Sequence, residues 1–302
     1  MNASYFGELA ALGTAALWAF SSILFTIGGR RVGSMIVNRV RLALAVLFVG
    51  GMHWLLFGQP FPTGTEPYRY AWLALSALIG LVIGDGLLFQ CYVLVGPRIG
   101  VLLLSMSPVF GTALAWIFLG ERLTPQELGA MAVALGGVTW VVLERGKGAG
   151  AQLSSRTYAI GILFGLGAAL CQATNLVMAK QGLAGGYSAL SGTMIRMTFA
   201  AAVMWAWAAA IGEAGRTIRR VRADGQASRA IFAAAFIGPF LGVWLSMIAV
   251  QSSRIGIAST LMAMTPVLSL PLVRIVFKER VTPRAVFGTL VAMAGVAAMI
   301  LL

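Results

Sequence analysis

Charge is scarce in this sequence: only 10% of its 302 residues are Asp, Glu, Lys or Arg, while 59% are hydrophobic. A soluble domain carries about a quarter charged residues, and a water-soluble fold could not cover this much apolar surface. Soluble-enzyme reasoning is therefore excluded. Histidine is rarer still. The one residue, His53, stands near the end of an apolar run and is expected at a membrane interface rather than as a proton relay or ligand. The two cysteines, Cys91 and Cys171, both fall within apolar runs at no metal or redox spacing and read as small packing residues. No H-E-x-x-H supports a zinc site, and no G-x-x-x-x-G-K-[ST] supports ATP-driven transport by this chain alone. No metal or cofactor is expected. Period-2 alternation is also lacking, which argues against an outer-membrane barrel.

What the sequence has is a succession of apolar stretches of roughly 20 residues, each long enough to cross about 30 Å of hydrocarbon. They predict ten helical spans at 8–27, 36–57, 70–94, 99–120, 125–143, 158–181, 188–211, 229–251, 257–277 and 283–302. The first lacks a basic lead and a convincing cleavage site, so it is expected to be retained. The net charge of +13 invites a nucleic-acid reading, but its placement argues otherwise. One set of alternate loops carries Arg30, Arg31, Arg98, Arg145, Lys147, Arg156, the run Arg216 to Arg229, Lys278, Arg280 and Arg284, whereas the other carries only Arg69, Arg122, Lys180 and Arg254. By the positive-inside rule the richer side is cytoplasmic, which puts both termini outside the cytoplasm of an inner-membrane protein. The Arg216 to Arg229 run reads first as a topology determinant and second as a polybasic lipid contact. A small-molecule substrate and membrane lipid are the expected partners, nucleic acid is not, and a monomer is the expected unit.

The chain also repeats itself. Ser107-Pro108-Val109 and Thr265-Pro266-Val267 open segments that overlay without a gap, and Glu121-Arg122-Leu123-Thr124-Pro125 then matches Glu279-Arg280-Val281-Thr282-Pro283 at the same offset of 158. The offset also pairs Gly80 with Gly238, Gly84 with Gly242 and Gly137 with Gly295. Upstream it drifts slightly, so that Arg41 meets Arg196 and Leu12-Gly13 faces Leu166-Gly167. Residues 1–147 form one copy and 148–302 the other. Five spans per copy is an odd number, so the second copy must be inverted relative to the first. Inverted repeats place substrate sites near the bilayer midplane between the copies.

An S/T-P-V helix followed by a G/K-E-R-x-T-P turn, present twice, resembles the EamA-type unit of the drug/metabolite transporter superfamily. The resemblance covers almost the whole chain. It implies a basket of helices one to four and six to nine around a central cavity, with helices five and ten peripheral. It also implies transport of small metabolites, amino acids and aromatic amino acids among them.

Several residues can carry the chemistry. Pro108 and Pro266 fall near the middles of the fourth and ninth spans, where each removes a backbone donor, and serve either as gating hinges or as static kinks. Asp85 is the one acid deep within a span, flanked by Gly84 and Gly86. It can carry a coupling proton, bind a substrate ammonium or neutralise Arg41 or Arg196. The second copy has Val243 at its position. Arg41 and Arg196 either line the cavity and hold a carboxylate or snorkel to exposed carbonyls near helix ends, the latter being favoured. Trp18, Ser21, Ser22, Phe89, Gln90, Gln172, Thr174, Asn175, Trp244 and Ser246 are candidate cavity residues, each also suited to packing between helices. Glu121 and Glu279, beside arginines at span ends, read as structural. Thr124-Pro125 and Thr282-Pro283 read as helix starts, with the Thr as N-cap and the Pro at N1.

The expected protein is an all-α integral membrane protein of two inverted five-helix repeats, not an enzyme. It is expected to export small metabolites such as amino acids by alternating access. The rival readings are an intramembrane enzyme acting on a lipid or prenyl substrate, which would need a second acid near Asp85, and a lipid flippase.

Overall fold

A computed structural model describes residues 3–119, 124–143, 154–252, 261–278 and 281–301. Among them the regular structure is helical throughout. In the first copy these are α1 (Ala3–Val32), α2 (Ser34–Phe57), α3 (Pro67–Ala77, continued through Leu78–Gly84 and Asp85–Val95), α4 (Pro97–Leu104), α5 (Ser107–Leu119) and α6 (Pro125–Leu143). In the second they are α7 (Ser155–Gly182), α8 (Ala189–Ala210), a short basic α9 (Ala214–Ala223), α10 (Gly225–Ala235, continued through Phe236–Gly242 and Val243–Ser252), α11 (Thr265–Val276) and α12 (Pro283–Leu301).

Six helices, Phe6–Val32, Ser34–Phe57, Pro67–Val95, Ser155–Gly182, Ala189–Ala210 and Gly225–Ala249, are long and apolar enough to cross a membrane. Shorter apolar helices at Pro97–Gly111, Leu128–Val141, Thr265–Val276 and Pro283–Ala298 stand where the fourth, fifth, ninth and tenth spans are expected. The fourth span is not one helix. It breaks at Ser105–Met106 and restarts at Ser107, so neither half reaches the roughly 20 residues of a full crossing. Pro108 therefore sits at the start of the second half-helix, and Pro266 likewise occupies the first turn of α11. There the missing N–H would have had no intrahelical partner in any case, so proline starts these helices rather than bending them.

The break is capped locally. Ser105 and Ser107 donate their hydroxyls to the carbonyls of Leu102 and Leu104, and Thr265 donates to Met262, each three residues back. The cap at Thr282 holds as expected, its Oγ1 accepting from Ala285 N–H at 3.1 Å. Glu121, Arg122, Arg145, Lys147, Arg254, Glu279 and Arg280, together with the boundary at 147/148, lie outside the described residues.

The internal repeat is visible in detail. Leu78–Gly84 and Phe236–Gly242 are both π segments, in which Asp85 N–H bonds Gly80 O and Val243 N–H bonds Gly238 O, five residues back. The two segments lie at the same 158-residue offset as the prolines. Their glycines meet the other copy. A Cβ on Gly80 would lie 2.5 Å from Asn175, and one on Gly84 2.9 Å from Cys171. In mirror fashion, a Cβ on Gly238 would lie 2.9 Å from Ser21 and one on Gly242 2.9 Å from Trp18. The paired glycines thus let α3 press on α7 and α10 press on α1, which binds each copy to the first helix of the other.

α6 and α12 pack against each other. A Cβ on Gly137 would lie 2.4 Å from Ala292 N, and one on Gly295 2.3 Å from Ala134 N, so two backbones approach with nothing between them. Their other faces are exposed and apolar, with Leu128, Val133, Leu135, Trp140, Phe287 and Leu290 bare, as expected of surfaces that meet lipid rather than water.

Candidate functional site

Where α2 and α3 of the first copy meet α7 and α8 of the second, the span interiors hold two arginines and one acid. Arg41 is 3% exposed and pairs with Asp85 through Nη2 and Oδ2. Its Nε donates to Asn38 Oδ1 at 3.0 Å, and its guanidinium lies over the Phe89 ring at 4.8 Å and the Phe25 ring at 5.8 Å. The π segment accounts for this local order. Widening the helix frees the Leu81 and Val82 carbonyls, which accept from Asn38 Nδ2 at 3.1 and 3.3 Å, and Leu81 O also accepts from Arg41 Nη2 at 3.4 Å.

Arg196, 4% exposed on α8, reaches α7 and donates from Nη2 to Asn175 Oδ1 at 2.6 Å. Asn175 Nδ2 in turn donates to Gln172 Oε1 at 3.2 Å. Asp85 interacts electrostatically with Arg196 as well as with Arg41. The Asp85 side chain keeps 22% of its surface accessible although it lies deep within a span and faces groups from α2, α7 and α8.

The arginines do not snorkel. Both are buried within the protein, Arg41 bonded through Nε and Nη2 and Arg196 through Nη2 alone, and the carbonyl that Arg41 meets comes from a π segment in mid-helix and not from a helix end. Of the remaining candidates, Phe89, Gln172 and Asn175 join the cluster. Ser22 does not, since it gives its hydroxyl to Ala19 O of its own helix at 2.7 Å. Ser21, Thr174 and Ser246 do the same with Trp18, Leu170 and Val243 carbonyls. Trp18 is half-buried against Gly242, and Trp244 stacks on Phe240 with ring centroids 6.0 Å apart. Gln90 accepts from Ser34 at 2.5 Å. Asn38 and Phe25 were not singled out from the sequence. Asn38 lies one turn before Arg41 on α2, which was a usable signal; Phe25 had none, since it reads as one more apolar residue of α1.

The two ends of the molecule are tied across the copies in different ways. At one end Arg39 Nη1 donates to Glu213 at 2.7 Å and to Thr217 at 3.2 Å, and Arg31 Nε pairs with Asp224 at 2.7 Å. The hydrogen bond from Arg39 holds the Glu213 carboxyl below its ordinary range. Asp224 is held down first by the Ala227 backbone N–H and then by Arg31. At the other end Arg69 donates to the Gly182 and Ala184 carbonyls, at 3.2 and 2.6 Å, and lies over the Tyr187 ring at 4.9 Å. His53 is there too, near the end of α2, and it is packed inside the protein rather than on its surface. It is 1% exposed, with Nδ1 2.6 Å from Gln59 O and Nε2 3.0 Å from Ser191 Oγ, because the 59–66 loop folds back over the end of α2.

Comparison with known proteins agrees with this architecture. No curated protein matches the chain. Among solved structures 29 chains match. One, a crystal structure of a protein, covers 98% of this chain and 96% of its own length with a TM-score of 0.64 at 17% identity, a likeness of fold alone. The model of the EamA-like transporter family matches twice, over residues 5–143 and 159–301, one match to each half. With both halves matched, the chain belongs to the EamA-like transporter family of the drug/metabolite transporter superfamily and is a multi-pass membrane transporter.

Proposed function

We propose that this chain is a secondary transporter that exports small metabolites such as amino acids, aromatic ones among them, by alternating access. The observation that carries the reading is the Arg41–Asp85 pair with Arg196 beside it, deep in the spans at the seam between the copies, with part of Asp85 accessible. Ionisable groups in the membrane interior are costly and are retained where they bind or move something. Their position between inverted repeats suits a site that is exposed first to one side and then to the other. Phe25 and Phe89, 4.7 Å apart beside the guanidinium of Arg41, provide an apolar wall next to charged groups, the setting an amphipathic metabolite needs.

Pro108 begins the second half of the broken fourth span and Pro266 stands in the first turn of α11, and the two act as the hinges. The protein works as a monomer in the cell inner membrane, with the arginine-rich end cytoplasmic and both termini outside. The enzyme reading is disfavoured because Asp85 bonds an arginine, not a second carboxylate.

The test is flux in proteoliposomes loaded with a panel of radiolabelled amino acids and driven by a pH gradient. At least one solute is expected to move faster than in protein-free vesicles. A panel that stays at background would sink the reading. A reporter fused to either terminus is expected to be active only on the extracytoplasmic side.

A further inference from the structure

The two copies treat their matching arginines differently. In the first copy Arg41 has a carboxylate, Asp85, and an amide, Asn38, for its Nε. The internal alignment that pairs Arg41 with Arg196 pairs Asn38 with Thr193, and Asp85 falls opposite Val243. Thr193 turns its hydroxyl to Ala189 O at 2.8 Å, and Val243 is half-buried against the cluster that contains Met197 and Ala200, beside Arg196 on α8. Arg196 is left with what those replacements dictate. Its Nε is buried and makes no hydrogen bond, and among the described residues no carboxylate lies within 4 Å of it. The three charges sum to one excess positive, since Asp85 is already bonded to Arg41.

A buried guanidinium with a vacant donor is unfavourable unless an anion joins it. We propose that Arg196 is the receptor for a carboxylate of the substrate, which takes the place that an acid at position 243 would fill, and that this group rather than an ammonium is what the site recognises. The inference rests on the transporter reading and names the substrate class. Arg41 is the internal standard that shows how the fold satisfies such an arginine. The substrate's carboxylate supplies to Arg196 what Asp85 supplies to Arg41, through charge-assisted bonds to the free edge of the fork. Asp85 has no free positive partner to exchange for an ammonium, so a cationic amine meets a site that already carries excess positive charge.

The test is binding, read as thermal stabilisation of the detergent-purified full chain. Two probes of equal shape and opposite charge are used, 3-phenylpropionate and phenethylamine. Phenylpropionate is expected to stabilise the wild type and phenethylamine not. Arg196→Gln is expected to bind phenylpropionate roughly 10- to 100-fold more weakly, the effect of losing charge-assisted bonds. Val243→Asp supplies the missing acid from within. It is expected to weaken phenylpropionate at least as much while raising the melting temperature of the unliganded protein. Val243→Asn, of the same shape as the Asp variant but without its charge, offers Arg196 only an amide oxygen and is expected to weaken phenylpropionate clearly less than Val243→Asp does, which separates charge from bulk; equal weakening by the two would overturn the proposal.

Equal stabilisation by the amine, unchanged binding in Arg196→Gln or Val243→Asp, or no stabilisation by phenylpropionate at millimolar concentration would each overturn the proposal. So would Arg196-dependent stabilisation by phosphatidylglycerol with none by phenylpropionate, since the anion would then be a lipid headgroup. Flux separates this inference from the one beneath it. Carboxylates that bind without crossing the vesicle membrane would end the transport reading and leave the Arg196 site standing, and amines that cross without carboxylates would do the reverse.

Discussion

Asp85 and Arg41 show how much one buried pair depends on the atoms around it. Removing the acid outright leaves Arg41 as an uncompensated charge, whereas an amide keeps an acceptor for it. Asp85→Leu is therefore expected to destabilise by about 3–5 kcal/mol as an upper bound, the range for orphaning a buried ion, reduced here by the partial accessibility of Asp85. Asp85→Asn is expected to lower the melting temperature less. It cannot titrate, so pH-driven transport is expected to vanish while the protein stays folded; pH dependence that survives the change rules Asp85 out as the coupling group. The sequence made Asp85, Arg41 and Arg196 visible because charge is rare in these spans. It did not reveal which arginine the acid serves. That choice depends on Asn38 and on carbonyls released by a π segment, and neither polarity nor spacing records it.

At the level of helices, glycine marks where backbones touch. Gly136 and Gly137 are neighbours in α6, yet a Cβ on Gly136 meets nothing within 4 Å and one on Gly137 meets the Ala292 backbone. Gly137→Ala is expected to lower the melting temperature sharply, because backbone cannot yield as a side chain does. Gly136→Ala is expected to leave stability unchanged or raise it by up to about 1 kcal/mol through helix propensity. Equal effects in the two variants would show that the α6–α12 contact is not made. Pro266→Ala is expected to cost little stability, since the proline stands where no intrahelical donor is lost. A slower turnover at unchanged substrate affinity is expected from the same variant, measured as exchange rate in vesicles, if the rigid start of α11 times the motion. The repeat and its glycines were legible in the sequence by simple offset. The break at Ser105–Met106 was not, because the apolar run continues across it and a proline in mid-run looks the same whether it bends a helix or begins one.

Over the whole molecule the two ends differ in what holds them. One is closed across the copies by the ion pairs Arg39–Glu213 and Arg31–Asp224; at the other, Arg69 pairs with Glu66 of its own segment and crosses to carbonyls of the second copy, and His53 stands between Gln59 and Ser191. Glu213 and Asp224 have depressed pKa values in the fold, so their contribution is present above the ordinary carboxylate range. It is lost as pH falls through about 4 and below, and it weakens with salt. Acid or high salt is expected to speed hydrogen exchange in α9 and the start of α10, where ion pairs bridge the copies, before it affects the start of α3, where the Arg69–Glu66 pair is local and the bonds across the copies go to the Gly182 and Ala184 carbonyls; simultaneous loosening of both ends contradicts this. Glu213→Gln is expected to reproduce the effect at neutral pH. The paired π segments also bear on the history of the chain. A π segment is an α-helix with one residue too many, and both copies carry the extra residue at the same place. The simplest descent has it present in the ancestral five-helix unit, before that unit was doubled and turned over. Asp85, which has no mate, belongs to the later chapter in which the two copies ceased to be interchangeable.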